Sequence, residues 1–355
     1  LDKLFFSTKL TSPFLEVGKK YHYICKKLKI SNCYVSCGKY GLEAAYQIED
    51  VKKICNAEHP DFVNFEIKNR FKHIFNPEKQ IINFNKNIIL RFFSYIWIYI
   101  FIKILKNKDY KILKNYNAIL CHNSGNRDFF KKFNLKSYYI PTVILNKKKL
   151  AKKTKKNFFT IVANLSSQSS TSNFLSIHYI CHKVLPELKK LYNCNDLKII
   201  LLGNKTNHFD KKTEEILNDR IFINKGWVDD ADVELQKSDL FLICANAYLN
   251  NQNTIVNNFK INLSITQSRI ANVWSNKVCL IAHAENERCS GVLKHLQNCI
   301  LAKNPKDLAK WIIKLKKNTR LKDKIANNGY KTFKDKCQYK NFCKHLDKHF
   351  MENFL

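Results

Sequence analysis

The sequence has little glycine, 8 residues in 355, and little proline, 6. That scarcity excludes collagen-like and Pro/Gly-rich low-complexity architectures. Neither G-x-G-x-x-G nor a P-loop pattern occurs, which excludes the usual dinucleotide fingerprint and P-loop NTP hydrolysis. Uninterrupted apolar runs of the roughly 20 residues that span a bilayer are also missing. Segment 92–102, apolar apart from Ser94 and two tyrosine hydroxyls, is closed by Arg91 and Lys103. It reads either as a buried core element or as part of an interfacial helix flanked by lysine. No leader with a cleavage site opens the chain, so no signal peptide is expected. The first residue is Leu1 rather than Met, so one or more preceding residues are expected.

Carboxylates are scarce as well, 29 Asp and Glu against 62 Lys and Arg, for a formal net charge of +33. An excess of that size raises nucleic acid as a partner, through phosphate neutralisation. No homeodomain, zinc-finger or RRM signature accompanies it, and the composition is rich in Lys, Asn and Ile throughout. No specific nucleic acid is therefore expected, whereas an anionic membrane surface stays open as a partner. The 13 cysteines are odd in number, irregularly spaced and mostly within apolar runs, as at Cys244 and Cys279. This usage fits free thiols in a reducing cytosol. The tail group Cys337, Cys343, His345 and His349 matches no common zinc spacing, so no metal is expected.

A hydrophobic fraction of 45%, with 13% aromatics, supplies two cores. Strands are expected over 4–7, 32–36, 61–67, 118–122 and 138–144, and helices over 17–28 and 48–57 and from about 123. In the 17–28 helix, Tyr21, Ile24, Cys25 and Leu28 share a face. Seven lysines in the ten positions 147–156 form a self-repelling block, read as an interdomain linker or as a lipid-headgroup patch. Alternation restarts beyond it. Strands fit 158–163, 197–202, 221–224, 240–244 and 278–282, and a helix fits 173–191, bent near Pro186. The alternation predicts parallel sheets covered by helices, in two lobes across a cleft.

Gly203, Gly226 and Gly291 fall just beyond expected strands, where α/β sheets bind ligands. Around them runs an ordered series: Gly226-Trp227-Val228-Asp229-Asp230, Ser238 to Cys244, Ser268 to His283, Glu285 to Gly291, Asn298 to Ala309, and Lys322 to Thr332. Its order and spacing resemble the nucleotide-sugar-binding half of the glycosyltransferase group 1 family, of GT-B fold and retaining type. The resemblance covers about 158–336.

It implies an α/β GT-B fold of two Rossmann-like parallel-sheet domains. Residues 1–146 form the acceptor side, 147–157 the linker, 158–336 the donor domain and 337–355 a helical tail. Donor-binding positions are then Asn164, Gly203, Gly226, Trp227, Val228, Ser264, Thr266, Gln267, Ser268, Arg269 and Asn272. The loop into the helix after Ile265 would receive a diphosphate on its N–H groups. Ser264 and Asn272 stand where the family usually has two glutamates, and Asn164-Leu-Ser-Ser-Gln-Ser lacks its usual Arg and Lys. Asp229-Asp230-Ala-Asp232 contains a D-x-D, read as a helix cap in preference to a metal site.

On the acceptor side, Gly18 would mark close approach to the acceptor. Glu66 and His122, at expected strand ends, would serve proton transfer, with solvated or structural roles as the plain alternatives. The implied activity is metal-independent hexosyl transfer from a nucleotide-diphosphate sugar to a carbohydrate or lipid-linked acceptor, without a cofactor. Cell-surface polysaccharide or glycan biosynthesis is the implied setting, in the cytoplasm or peripheral on the inner membrane face. The alternative is a catalytically degenerate GT-B relative that binds nucleotide or glycan.

Overall fold

The computed structural model describes residues 14–35, 39–56, 61–71, 74, 88–144, 157–206, 209–250, 266–341, 343–344 and 347–348. The strand expected over 4–7, Ser264 and the whole lysine block 147–156 lie outside them.

Among the described residues, the amino-terminal lobe holds a parallel sheet in chain order: β1 (Asn32–Val35), β2 (Lys52–Asn56), β3 (Ala118–Cys121) and β4 (Ser137–Tyr139). Register is set by pairs such as Tyr34↔Ile54, Ile54↔Ala118 and Leu120↔Tyr138. Three helices lead into and between these strands: α1 (Phe14–Lys27), α2 (Lys39–Tyr46) and α3 (Asp61–Arg70). Then come α4 (Ile88–Leu113) and α5 (Ser124–Lys132).

Two expectations are corrected here. Residues 52–56 are a strand, not the end of a helix. Ile54 and Cys55 point to opposite faces and are both fully buried, as a central strand requires. Residues 61–67 are helical, because Val63, Glu66, Ile67 and Arg70 follow the i, i+3, i+4, i+7 spacing of one face and the first three are buried. On α1 only Cys25 of the expected apolar face is buried, while Tyr21 and Leu28 are 53% and 64% exposed. Segment 92–102 belongs to α4, where Ile102 is fully buried but Ile96, Trp97, Tyr99 and Ile100 are exposed. Among the described residues no helix is long and apolar enough to cross a membrane.

The carboxyl-terminal lobe carries a parallel sheet of order β10-β9-β8-β5-β6-β7. Its strands are β5 (Phe159–Asn164), β6 (Leu197–Leu202), β7 (Phe222–Gly226), β8 (Leu240–Ile243), β9 (Cys279–His283) and β10 (Ile300–Ala302). Helices α6 (Thr171–Tyr179) and α7 (Leu185–Leu191) are joined through a π turn, Ile180–Val184. The wide turn immediately precedes Pro186, whose ring cannot tolerate the α-helical carbonyl four residues back, and so accommodates the expected bend. Further on are α8 (Lys211–Leu217), α9 (Ala231–Gln236), α10 (Thr266–Ser275), α11 (Pro305–Lys317) and α12 (Thr319–Thr332).

Helix α11 begins where Asn304 accepts from the Asp307 N–H at 2.9 Å, with proline in its first turn and lysines in its last. Gly329 of α12 lets Trp274 of α10 pack flat against it, since a Cβ there would sit 2.4 Å from the indole. Trp274 is fully buried and donates to the Asn298 carbonyl at 3.0 Å. Every described cysteine is a free thiol, and most are buried. Burial pushes Cys289 and Cys299 up to about 12, which leaves both as neutral thiols at ordinary pH.

Candidate functional site

In the carboxyl-terminal lobe the chain runs from β5 outward to β6 and β7, then returns to β8 on the other side of β5. The topological switch point therefore lies between β5 and β8, where loops diverge and leave a crevice. Most of the expected donor-side residues gather around it.

Asn164 ends β5, and its side-chain amide donates to the Leu202 carbonyl at 2.7 Å and to Ser166. Gly203 ends β6 with φ +87°, and a Cβ there would meet the Ser166 carbonyl oxygen at 2.1 Å. Only glycine fits so close a loop crossing. The Gly203 N–H donates to the Gly226 carbonyl at 2.6 Å, tying β6 to the end of β7, where Gly226 has φ +70°. Gln168 donates to Asn224 at 2.9 Å and closes the same loop cluster. Trp227 stands beyond Gly226 with 72% of its surface exposed, while Val228 packs into the core beneath.

The loop after β5 leads into the N-terminus of α6. Its N-cap, Ser170, makes no side-chain cap hydrogen bond. The hydroxyls of Ser170 and Ser172, and the carbonyl oxygens of Asn164 and Asn173, are buried without a hydrogen-bond partner in the protein. Orphaned polar atoms are uncommon in protein interiors, because each costs about 1–3 kcal/mol. The two amide oxygens only accept, but the two hydroxyls can donate, and beside uncapped helix N–H groups they form an arrangement that receives an anion.

The cation comes from α10. Arg269 Nη2 lies 3.3 Å from Ser166 Oγ, across from the α6 terminus. Burial pulls its guanidinium down to about 10, so it is still charged at neutral pH. Thr266, Gln267 and Ser268 form the first turn of α10, and Asn272 lies one turn beyond.

The two lobes meet at the carboxyl ends of β3, β8 and β9. Ser124 Oγ donates to the Arg288 carbonyl at 2.9 Å. Asn123, the N-cap of α5, hydrogen-bonds the Cys289 thiol, which also receives Asn246 Nδ2 at 3.1 Å. Asn246 in turn donates to Asn286 at 3.1 Å. Sequence reasoning missed this buried amide cluster. Its one signal is asparagine directly after an apolar strand run, as in Ile-Leu-Cys-His-Asn123 and Leu-Ile-Cys-Ala-Asn246.

His122 lies beside that junction, at the end of β3. A carbonyl only accepts, so Nδ1–H donates to Ile140 O at 3.0 Å and Nε2 accepts from Asn56 Nδ2 at 2.9 Å. Glu66 is placed differently from expectation: it is fully buried inside α3 and ion-paired with Arg70, not at a strand end. Gly18 lies within α1, where a Cβ would meet the Ala44 carbonyl oxygen at 2.2 Å, so its smallness serves helix packing.

Among the described residues, His178, His182 and Asp210 bring ligand atoms within 4.8 Å of one another and could hold a metal ion. All three already serve a hydrogen-bond network. His178 pairs with Tyr248 at 2.7 Å, His182 with Thr213 at 2.7 Å, and Asp210 caps α8.

No protein-family model and no curated protein sequence matches the chain. Solved structures do. HepE of Anabaena, in complex with UDP and glucose, superposes with a TM-score of 0.62 at 11% identity, over 95% of this chain and 80% of that one. A Rickettsia africae glycosyltransferase gives 0.61 at 13%, over 98% and 83%. Sucrose-phosphate synthase of Thermosynechococcus elongatus gives 0.63 at 9%, over 98% and 80%. At such identities the likeness speaks for architecture: the chain has the GT-B fold, two parallel-sheet lobes facing across a cleft.

Proposed function

We propose that this protein transfers a hexosyl group from a nucleotide-diphosphate sugar to a carbohydrate or lipid-linked acceptor, with retention and without a divalent metal. It is read as a group 1 glycosyltransferase of cell-surface glycan assembly, working on the cytoplasmic side. One observation carries the reading. Uncapped N–H groups, orphaned Ser170 and Ser172 hydroxyls and the Arg269 guanidinium converge at the switch point. A diphosphate leaving group satisfies all three, and fixed dipoles plus a cation stabilise its developing charge. HepE, crystallised with UDP and with UDP-glucose, makes UDP the first donor base to test.

In this scheme the diphosphate sits between the α6 terminus and Arg269. The sugar then points toward the lobe junction at Asn123, Asn246 and Cys289. Trp227, exposed beside Gly226, offers a face for the nucleobase. Proton transfer is assigned to His122 in preference to Glu66, whose carboxylate is buried and paired. Nε2 of His122 has the ring's lone pair, and an acceptor hydroxyl would displace Asn56 from it. Closing the lobes would exclude water and limit hydrolysis.

A thermal-shift series with UDP-, GDP-, ADP- and CMP-sugars tests the reading, since a ligand of the native state must raise the melting temperature. A rise with one nucleotide class supports it; no rise at saturation overturns it. Ser264 and Asn272, standing in place of two carboxylates, favour a second reading, a nucleotide- or glycan-binding relative without turnover. A thermal shift with no sugar transfer or hydrolysis from any donor would select that one.

A further inference from the structure

Helix α4 is more apolar than its packing requires. Its inner face, including Ile98, Ile102, Leu105 and Ile112, packs on the amino-terminal core. The outer face repeats the pattern. Ile96, Ile100 and Ile104 follow one another at i, i+4 and i+8, flanked by Trp97 and Tyr99, all between 38% and 51% exposed. At 1.5 Å per residue the isoleucine row is about 12 Å long. Further along the same side lie Lys103, Lys111 and Lys114, each exposed. The described helix has one carboxylate, Asp109, which turns inward to line a cavity with Leu113, Phe129 and Phe130. The outer face thus combines aliphatic and aromatic groups with cations and no anion.

That combination selects among partners. A nucleic-acid backbone would use the lysines and leave the isoleucines in water. The hydrocarbon–headgroup boundary of a bilayer takes both: Trp and Tyr settle at the interface, aliphatic groups enter below it, and lysines reach lipid phosphates. We propose that this face of α4 seats the protein on an anionic lipid bilayer, lying in the interface plane and not crossing it. The inference stands apart from the sugar-transfer reading, because it is tested with no nucleotide present.

The test is flotation of the full chain with vesicles of phosphatidylcholine alone, or with roughly one third phosphatidylglycerol. Binding to the anionic vesicles and not to the neutral ones is expected. Each lysine near such a surface contributes roughly fivefold, so K103Q/K111Q/K114Q should weaken binding by at least about tenfold. W97S/I100S should lose binding comparably while still melting cooperatively below the parent temperature, as half-exposed helix positions allow. A second readout needs only a distant change. In a Trp227→Phe background, brominated acyl chains should quench part of the tryptophan emission, and adding W97F should remove that quenching. The proposal fails if the anionic vesicles do not bind, or if both α4 variants bind as tightly as the parent. It fails equally if W97S/I100S floats with the anionic vesicles as the parent does while only the lysine variant is lost, which would reduce the face to charge alone.

Discussion

The two lobes share one architecture and treat their apolar surface in opposite ways. In the carboxyl-terminal lobe β8 and β9 are buried along their whole length, and helices close both faces of the sheet. Large exposed apolar side chains there are scattered, Trp227 being the most exposed. In the amino-terminal lobe two helices show apolar rows to the outside: Val17, Tyr21 and Ile24 on α1, continued by Leu28 just after it, and Ile96, Ile100 and Ile104 on α4. Among the described residues the first lobe is finished by its own packing, and Ser170 and Ser172 at the start of α6 are among its few buried polar groups without a protein partner. The second leaves apolar rows in water, the kind of surface that marks an interaction face when it is contiguous.

Two tryptophans put numbers on that contrast. Trp274 is fully buried between α10 and α12, and Trp97 is 51% exposed on α4. Trp274→Ala should destabilise by about 3–5 kcal/mol, through lost burial and the cavity left behind. Trp97→Ala should cost clearly less, about 1–2 kcal/mol, because half of its side chain is already in water. Urea denaturation of both variants checks this, and similar losses would mean that the α4 face is packed in solution.

Next in size is a pH effect confined to the closed lobe. His283 ends β9, is 2% exposed, and burial pulls it down to about 4 from an ordinary 6.5. A histidine held neutral in the fold is protonated more readily once unfolded. Its contribution is therefore complete above pH 6.5 and is lost as the pH falls from there through 4. A shift of that size corresponds to about 3 kcal/mol. Thermal melts between pH 7 and pH 4 should show the decline, and His283→Asn should flatten it.

Much of the closed lobe was legible in sequence because its strands are uniform apolar runs ended by Gly or a polar residue. Leu197 to Gly203 and Leu240 to Cys244 are examples. Asn164, Gly203 and Gly226 were legible as strand ends, and the structure sets Arg269 of α10 opposite them through Ser166. The open lobe was less legible. Residues 52–56 contain lysine at two of five positions, and Lys53 is tolerated in a strand because its Nζ reaches the Ile48 carbonyl at 2.6 Å. Asp61 to Ile67 alternates polar and apolar residues and so imitates a strand, while its helical face is completed only at Arg70. The lobe-junction amides were invisible because their partners lie far off in sequence, 40 residues for Asn246 and Asn286 and, across the lobes, well over 100 for Asn123 and Cys289. That pairing is set by how the lobes dock, which no local pattern encodes.

Arg269 tests whether the unsatisfied atoms of the closed lobe belong to a ligand. Arg269→Gln should weaken nucleotide binding by about 10- to 100-fold, the loss expected when a charge-assisted contact becomes neutral. Stability without ligand should hold or rise slightly, because a partly desolvated cation is removed. Isothermal titration with UDP reads the first effect and a melt the second. Unchanged affinity would detach Arg269 from the site.

The smallest effect asks whether the closed lobe satisfies its polar groups even at its surface. Asp230 and Asp232 form the D-x-D before α9. Asp230 Oδ1 accepts from the Asp232 N–H at 2.8 Å, and Asp232 Oδ1 accepts from Asn276 Nδ2 at 3.0 Å. Both carboxylates are thus used to start and anchor the helix. Asp230→Ala should cost about 1 kcal/mol, whereas Asp230→Asn should cost little, since asparagine caps equally well. A metal-binding role orders the variants differently, because an amide replaces a carboxylate poorly as a ligand for Mg2+ or Mn2+. Melts of both variants with and without Mn2+ separate the two. If Asp230→Asn matches Asp230→Ala and only the parent gains from Mn2+, the carboxylates hold a cation and the capping account of this turn is wrong.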